Sequence, residues 1–376
     1  MKVTIVVSTL TAGGAERAAV NMANYWARSG WQPTILTTSQ RGRAVAYELD
    51  SRVEWRDLGW RRGPTDEEMD RASVDAILGG LDMHDPIYDP LLTDLVLLLI
   101  LRHGIAQTKP DAVISMIDVM NVRMLAATEG LPVRRFVSER CDPWLYSIQA
   151  YEPLRRRLYP RADGVIAQTA EVAEYFAKRG AACHAIPNMV LPAPPGASGG
   201  NGRHVMVALA RLVADKRLNI IIRAFARIAG AHPEWDLRIW GEGPQRPFLE
   251  SVIEEVGGTE RIRLCGHATD VYAVLGKADL FAMASVAEGF PNSLCEAMAS
   301  GLAPVVFDCG PGVREIVRDG IDGVLVRTYG PEPFAAALDR LMGDDAERER
   351  LAARAPEVAE RFSAERVMQR WEEVLA

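Results

Sequence analysis

Apolar residues along this chain fall into two alternating patterns. Short unbroken runs of aliphatic and β-branched residues give way to longer stretches in which apolar positions recur every three or four residues. The first run, residues 2–8, predicts a central parallel strand buried on both faces. A glycine-bearing loop follows, then a helix that runs through Trp26 and ends at Gly30, then a strand over 32–38. Strand, loop, helix and strand in that order make a βαβ unit. The alternation continues with a helix over 91–107, a strand over 112–116, a loop and helix start over 117–121, and strands over 135–137 and 164–168. Residues 60–90 carry no period and mix Gly, Pro and acids, which predicts an irregular insertion with a short helix over 66–78.

Residues 192–202 are rich in Pro, Gly and Ser and carry no charge, which marks a linker. A second βαβ series then begins. Strands are expected over 205–208, 236–240, 262–265, 278–283 and 323–326, with helices over 217–229 and 247–256, from 331 onward, and amphipathically over 363–375. The predicted fold class is α/β: two doubly wound, Rossmann-like domains facing a cleft. The expected boundaries are 1–190, a linker over 191–203, and 204–360. In such sheets ligands collect beyond the carboxyl ends of the strands, so the chemistry belongs in the loops after strands.

Composition narrows the partners. The 376 residues are 48% hydrophobic and 25% charged, in the range of soluble globular domains. A net charge of −7 argues against nucleic acid, which needs a basic footprint. Five scattered cysteines make no C-x-x-C pair and share no ligand spacing with the six histidines, so neither a disulfide framework nor a zinc site is expected. The first residues lack the apolar core and cleavage site of a signal peptide. The most apolar stretch, 91–101, is interrupted by Asp94 and falls short of the roughly 20 residues of a membrane span. A cytoplasmic setting is the default expectation.

The densest candidate chemistry is Glu288-Gly289-Phe290-Pro291-Asn292-Ser293-Leu294-Cys295-Glu296. It follows an apolar run and precedes a helix expected to be capped by Asn292 and to stop at Gly301. One carboxylate then lies in the loop and the other in the first helical turn, flanking a helix N-terminus that favours anions. Acids can hold hydroxyl groups there while amides hold a phosphate. A lone Glu296 in a first turn would be favourable without any ligand. Elsewhere, Gly13 and Gly14 permit close backbone approach before a helix start, though the G-x-G-x-x-G fingerprint is absent and a tight turn for steric reasons explains them equally well. Arg211 and Lys216 follow a strand and could meet a diphosphate as fork and point charge. Gly241, Gly243 and Gly266 sit in later strand–helix loops. No Asp-x-Asp occurs, so metal binding is not expected and charge stabilisation by cations and amides is.

The Glu288–Glu296 block resembles the Glu-x7-Glu signature of family-4 retaining glycosyltransferases of the GT-B fold. The resemblance extends to Ala210-Arg211-Leu212 with Lys216, where Ala210 and Arg217 replace usual glycines, and to Gly241-Glu242-Gly243-Pro244. Gly13-Gly14-Ala15-Glu16-Arg17 and Ser138-Glu139 resemble a subgroup acting on lipid-linked or surface oligosaccharides. Many relatives carry a His in that first-half region; this chain has none. The resemblance implies a metal-independent transferase without cofactor. It would use a nucleotide-diphosphate sugar as donor, with UDP favoured over GDP, and would pass the sugar to a glycan acceptor, expected to be lipid-linked. Arg211, Lys216, Glu288, Glu139 and Asp118 are the implied catalytic set. Gly13, Gly14, Gly241, Gly243, Gly266, Gly289, Phe290, Pro291, Asn292 and Glu296 are the implied donor-binding set. The segment 361–376 is expected to pack back on the first domain. Arg134, Arg135, Arg155, Arg156, Arg157 and Arg161 form basic clusters in an otherwise acidic chain and suggest peripheral contact with an anionic membrane. A nucleotide-sugar epimerase and a non-catalytic nucleotide-sugar-binding partner are the alternatives.

Overall fold

The structure, a computed structural model, describes residues 1–11, 13–59, 63, 65, 67–80, 85–194 and 202–376. Most of the expected linker, the first residue of the helix expected over 66–78, and Ala12 of the glycine loop lie outside them. Contacts divide the chain into two units, Met1–Asn188 with Val367–Ala376, and Met189–Arg366.

The first unit is a seven-stranded sheet. Its strands are β1 (Lys2–Val7), β2 (Gln32–Thr37), β3 (Glu54–Asp57), β4 (Ala112–Met116), β5 (Arg134–Ser138), β6 (Gly164–Ala167) and β7 (Cys183–Ala185). They lie in the order β3-β2-β1-β4-β5-β6-β7, and every pairing is parallel. β1 is central and buried from its second residue on, and β4 is buried throughout, as their unbroken apolar runs require. Two strands escape the pattern. β3 is a mostly exposed edge of Glu, Trp, Arg and Asp, and β7 is three half-buried residues at the opposite edge. Neither carries an apolar run for a sequence reading to find.

The helix expected over 91–107 is broken. It forms as Asp89–Thr93 and Leu95–Thr108, and the axis bends by 66° at Asp94. The Asp94 carboxylate takes the Arg123 guanidinium in a fork at 2.7 and 3.0 Å and the Tyr151 hydroxyl at 2.5 Å. No single described helix is long and apolar enough to cross a membrane, and Leu97–Leu101 of the second segment are buried in the core. The short helix of the 60–90 insertion forms at Arg71–Gly79, capped by Asp70. The chain's last helix, Ala364–Leu375, delivers Trp371 to this unit, where it meets Trp26 edge-on at 6.2 Å.

The second unit is a six-stranded sheet of β8 (His204–Leu209), β9 (Trp235–Trp240), β10 (Ile262–Gly266), β11 (Leu280–Met283), β12 (Ala303–Phe307) and β13 (Val324–Val326). The order is β10-β9-β8-β11-β12-β13, again all parallel. Met206, Phe225, Trp235, Leu237, Val305 and Phe334 belong to its core. In each unit the winding reverses beside the first strand, between β1 and β4 and between β8 and β11. Those switch points are where doubly wound sheets leave a crevice at the carboxyl ends of their strands.

Candidate functional site

The switch point of the second unit gathers the loops after β8 and β11, and with them most of the residues singled out from sequence. Lys216 leaves the first loop and Glu288 the second. Lys216 Nζ lies 2.8 Å from Glu288 Oε1, and both side chains are largely shielded from solvent. Ser285 donates its hydroxyl to the same oxygen at 2.7 Å. The two loops are also tied through backbone, Val286 N–H to the Asp215 carbonyl at 3.0 Å. Tyr329 donates to the carbonyls of Ser285 and Val286, and its ring stacks on Phe307 at 4.4 Å. Arg211 is exposed in the first loop and makes no ion pair among the described residues.

The glycines of neighbouring loops are explained by close packing. The Gly241 N–H binds the Gly266 carbonyl at 2.7 Å, and Leu212 N–H binds the Glu242 carbonyl at 2.9 Å, so the loops after β8, β9 and β10 are stitched together. Gly241 has φ +140°, and a Cβ on it would sit 1.8 Å from the Ala210 carbonyl oxygen. No other residue fits there. Gly312, which the sequence reading passed over, plays the same part against Gly289: its Cβ would lie 1.8 Å from the Gly289 oxygen. The Gly310-Pro311-Gly312 turn after β12 was the available signal.

Several expectations need correction. The helix after the Glu288 loop is Asn292–Ala299, and Pro291 occupies the cap, so Asn292 is the first helical residue rather than the cap. Glu296 is its fifth residue, buried and past the first turn. Phe290 is buried, with its ring edge-on to Phe362 at 5.2 Å, so its side chain belongs to the core of the unit. Arg217, one of the two positions where a usual glycine is replaced, adopts φ +47°, ψ +36°. The loop keeps the left-handed turn that explains a glycine and tolerates its strain on an arginine.

In the first unit Gly13 of the glycine loop meets the chain's own side chains. Gly13 starts the helix Gly14–Arg28, but its N–H is taken by the Tyr47 hydroxyl at 3.0 Å. The Glu16 carboxylate folds back so that a Cβ on Gly13 would be 2.2 Å from Glu16 Oε2. The Glu16 side chain thus packs against the start of its own helix beside Gly13.

At the ends of β4 and β5 the structure assembles a buried polar knot. Ile117 has φ +74° and ψ +131°, a conformation β-branched residues rarely adopt, and it turns the chain into Asp118 at the start of the helix Asp118–Ala127. Glu139 is 1% exposed. One carboxyl oxygen accepts the Tyr159 hydroxyl and lies 3.8 Å from Arg155 Nη1; the other is buried with no partner. Burial pushes the Glu139 carboxyl up to about 7, with Arg155 and Tyr159 opposing and Asp118 adding to the rise. Asn121 bridges the Ser138 carbonyl and the Tyr159 hydroxyl, both at 3.1 Å, and receives Ser115 Oγ at 2.7 Å. Asn121, Tyr159 and Arg155 were not assigned to this site from sequence, because they converge only through the sheet.

The basic clusters are largely spent within the chain. Arg155 is buried and pairs with Glu152 at 2.5 Å, while Arg135 and Arg161 both reach Glu129, at 3.4 and 2.6 Å.

Comparison with known proteins follows the same division. Residues 12–193 match the family described as Glycosyltransferase Family 4, and residues 198–358 match Glycosyl transferases group 1. An exopolysaccharide phosphotransferase of Streptomyces coelicolor is 28% identical over 96% of this chain, which spans 39% of that protein's length. A Campylobacter jejuni protein named GalNAc-alpha-(1->4)-GalNAc-alpha-(1->3)-diNAcBac-PP-undecaprenol alpha-1,4-N-acetyl-D-galactosaminyltransferase is 23% identical, over 100% of this chain and 98% of its own. Among solved structures, S. aureus TarM in complex with fondaparinux, alpha-GlcNAc-glycerol and UDP superposes with a TM-score of 0.80 at 13% identity, covering 100% of this chain and 99% of that one. Anabaena HepE in complex with UDP and glucose gives 0.74 at 18% identity, covering 100% and 99%. These structural likenesses carry the fold, that of GT-B glycosyltransferases.

Proposed function

Because this chain belongs to the family-4 glycosyltransferases, its two halves matching the two profiles of such enzymes, we propose that it moves a sugar from a UDP-sugar to a hydroxyl of a lipid-linked glycan, with retention of configuration and without a metal ion. The second unit holds the donor and the first holds the acceptor. The observation that carries this reading is the Lys216–Glu288 contact at the switch point of the second sheet. A breaking glycosidic bond leaves negative charge on the diphosphate. Arg211 is free to meet that charge, and Lys216 can turn to it from Glu288. Glu288 would then be released to hold hydroxyls of the donor sugar, while Glu296 holds the ribose. The leaving phosphate takes the acceptor's proton, so no separate base is required.

UDP is favoured because TarM and HepE are both seen with it. A lipid-linked acceptor is favoured because the Campylobacter relative is named for a diphospho-undecaprenol substrate. The absence of Asp-x-Asp from the sequence supports metal independence. Transfer assays with a panel of nucleotide sugars and an undecaprenyl-diphosphate oligosaccharide test the reading. Turnover of a UDP-sugar into a glycan of unchanged anomeric configuration is expected, and release of an isomerised nucleotide sugar without an acceptor would replace it with the epimerase.

A further inference from the structure

Of the basic clusters expected to meet a membrane, Arg135, Arg155 and Arg161 are paired with Glu129, Glu139 and Glu152, while Arg156 lines a depression with Arg179 beside an exposed apolar turn. Trp144, Leu145 and Tyr146 are 50, 59 and 37% exposed, the only consecutive large apolar residues so exposed among those described. They are held out by a fixed turn. Buried Asp142 accepts the Trp144 N–H on its side chain at 2.8 Å and the Tyr146 N–H on its carbonyl at 2.9 Å, with Pro143 between them. Nothing about this turn is left to be organised by a partner.

Cations adjoin the turn. The Trp144 ring meets Tyr175 edge-on at 5.1 Å, and the Arg179 guanidinium lies 3.5 Å from the Tyr175 ring centre. Arg179 makes no ion pair among the described residues. Arg179, Arg156 and Arg155 line one shallow depression, with Glu152 as its single carboxylate. Glu152 is already shared by Arg155 and Arg156, at 2.5 and 3.5 Å. The patch is therefore net positive on a chain of net charge −7.

We propose that Trp144, Leu145 and Tyr146 insert into the headgroup region of an anionic lipid bilayer while Arg156 and Arg179 meet its phosphates. Trp and Tyr carry an apolar body with a polar tip and settle at membrane–water interfaces. Leu145 has no polar atom for a water-facing role and gains by reaching the acyl boundary. Side-chain cations beside such a wedge add attraction to anionic lipid that falls off within a Debye length. The inference rests on the reading of the acceptor as lipid-linked and gives it a physical address, the first unit.

Co-sedimentation with vesicles of phosphatidylglycerol and phosphatidylcholine, against phosphatidylcholine alone, tests it on the full chain. Wild type is expected to bind the anionic vesicles and to lose binding as salt rises. Trp144→Ser with Leu145→Ser should weaken binding at least roughly tenfold by removing the inserted surface. Arg156→Glu with Arg179→Glu should abolish the preference for anionic lipid. Circular dichroism and UDP binding, a property of the other unit, check that each variant is folded. Indifference of wild type to anionic vesicles overturns the proposal, as does unchanged vesicle binding by the Trp144/Leu145 variant. A dimer that this variant dissociates, without vesicle binding, assigns the patch to a second copy instead. A raised KM for a water-soluble glycan, without vesicle binding, assigns it to the sugar acceptor. In each of those cases transfer from a UDP-sugar to the water-soluble acceptor still stands or falls separately, so the enzymatic reading is judged on its own.

Discussion

Lys216 Nζ and Glu288 Oε1 lie 2.8 Å apart, joining the loops after the two strands that flank the switch point of the second sheet. A cation suited to a diphosphate is thus held, without ligand, by the acid suited to the sugar. The two groups compete for Lys216, which leads to an asymmetric expectation. Lys216→Ala should weaken UDP binding and cut turnover by about 3 kcal/mol, roughly a hundredfold, as loss of a preorganised charge contact does. Glu288→Ala should leave UDP binding intact or tighten it, since Lys216 is released from its pair, while transfer collapses. Calorimetry with UDP and a transfer assay separate these effects. Equal losses of UDP binding in both variants would contradict the competition.

Glu296 is buried on the helix after the same loop. Glu296→Gln is expected to keep the fold and weaken UDP binding through the ribose. Binding of UDP set against binding of inorganic diphosphate checks this: the variant should lose the first and keep the second.

Glu139 links stability to pH. Burial raises its folded-state value to about 7, against about 4.3 for an unfolded glutamate. The folded protein therefore holds the proton more tightly. The stabilisation is fully present below the unfolded value, falls as pH rises through the window between the two, and is gone above about 7. Its size is on the order of 3 kcal/mol. Melting curves of wild type and Glu139→Gln should diverge across that window, with wild type losing ground as pH rises. Parallel curves would mean that Glu139 is ionised throughout.

Arg217 occupies a left-handed conformation at φ +47°. That conformation costs a side-chain-bearing residue roughly 1–2 kcal/mol, part of which a glycine recovers. Arg217→Gly is expected to raise stability by up to about 1 kcal/mol in urea unfolding, with kcat unchanged. A loss of stability would show that the arginine side chain holds the turn.

The order of strands and helices was legible because buried parallel strands are unbroken apolar runs, as in β1 and β4. β3 and β7 were not, since an exposed edge strand need not be apolar, and β12 went unexpected although it is buried throughout, its apolar run being interrupted by Pro304. The Lys216 and Glu288 loops were legible as strand–helix connections, and their contact was not, because 72 residues and a sheet crossover separate them. The cap at Asn292 was misplaced by one residue, because a proline before a helix can take the cap position without a side-chain bond. Phe290 looks like a ligand contact from its motif, yet its ring packs edge-on against Phe362, a residue no local pattern connects to it. The partners of Glu139 share that obscurity. Asn121, Arg155 and Tyr159 look like ordinary helix residues until β4, β5 and β6 bring them together.

The central claim is that the Lys216–Glu288 site transfers a sugar from a nucleotide donor. The most direct measurement is single-turnover transfer from UDP-sugars to an undecaprenyl-diphosphate oligosaccharide in excess EDTA, with wild type, Lys216→Ala and Glu288→Ala side by side and the product anomer read by NMR. The account predicts transfer by wild type despite the chelator, retention at the anomeric carbon, and loss of roughly a hundredfold or more in each variant. Transfer that needs added magnesium or manganese, an inverted product, or full activity in Lys216→Ala would contradict it.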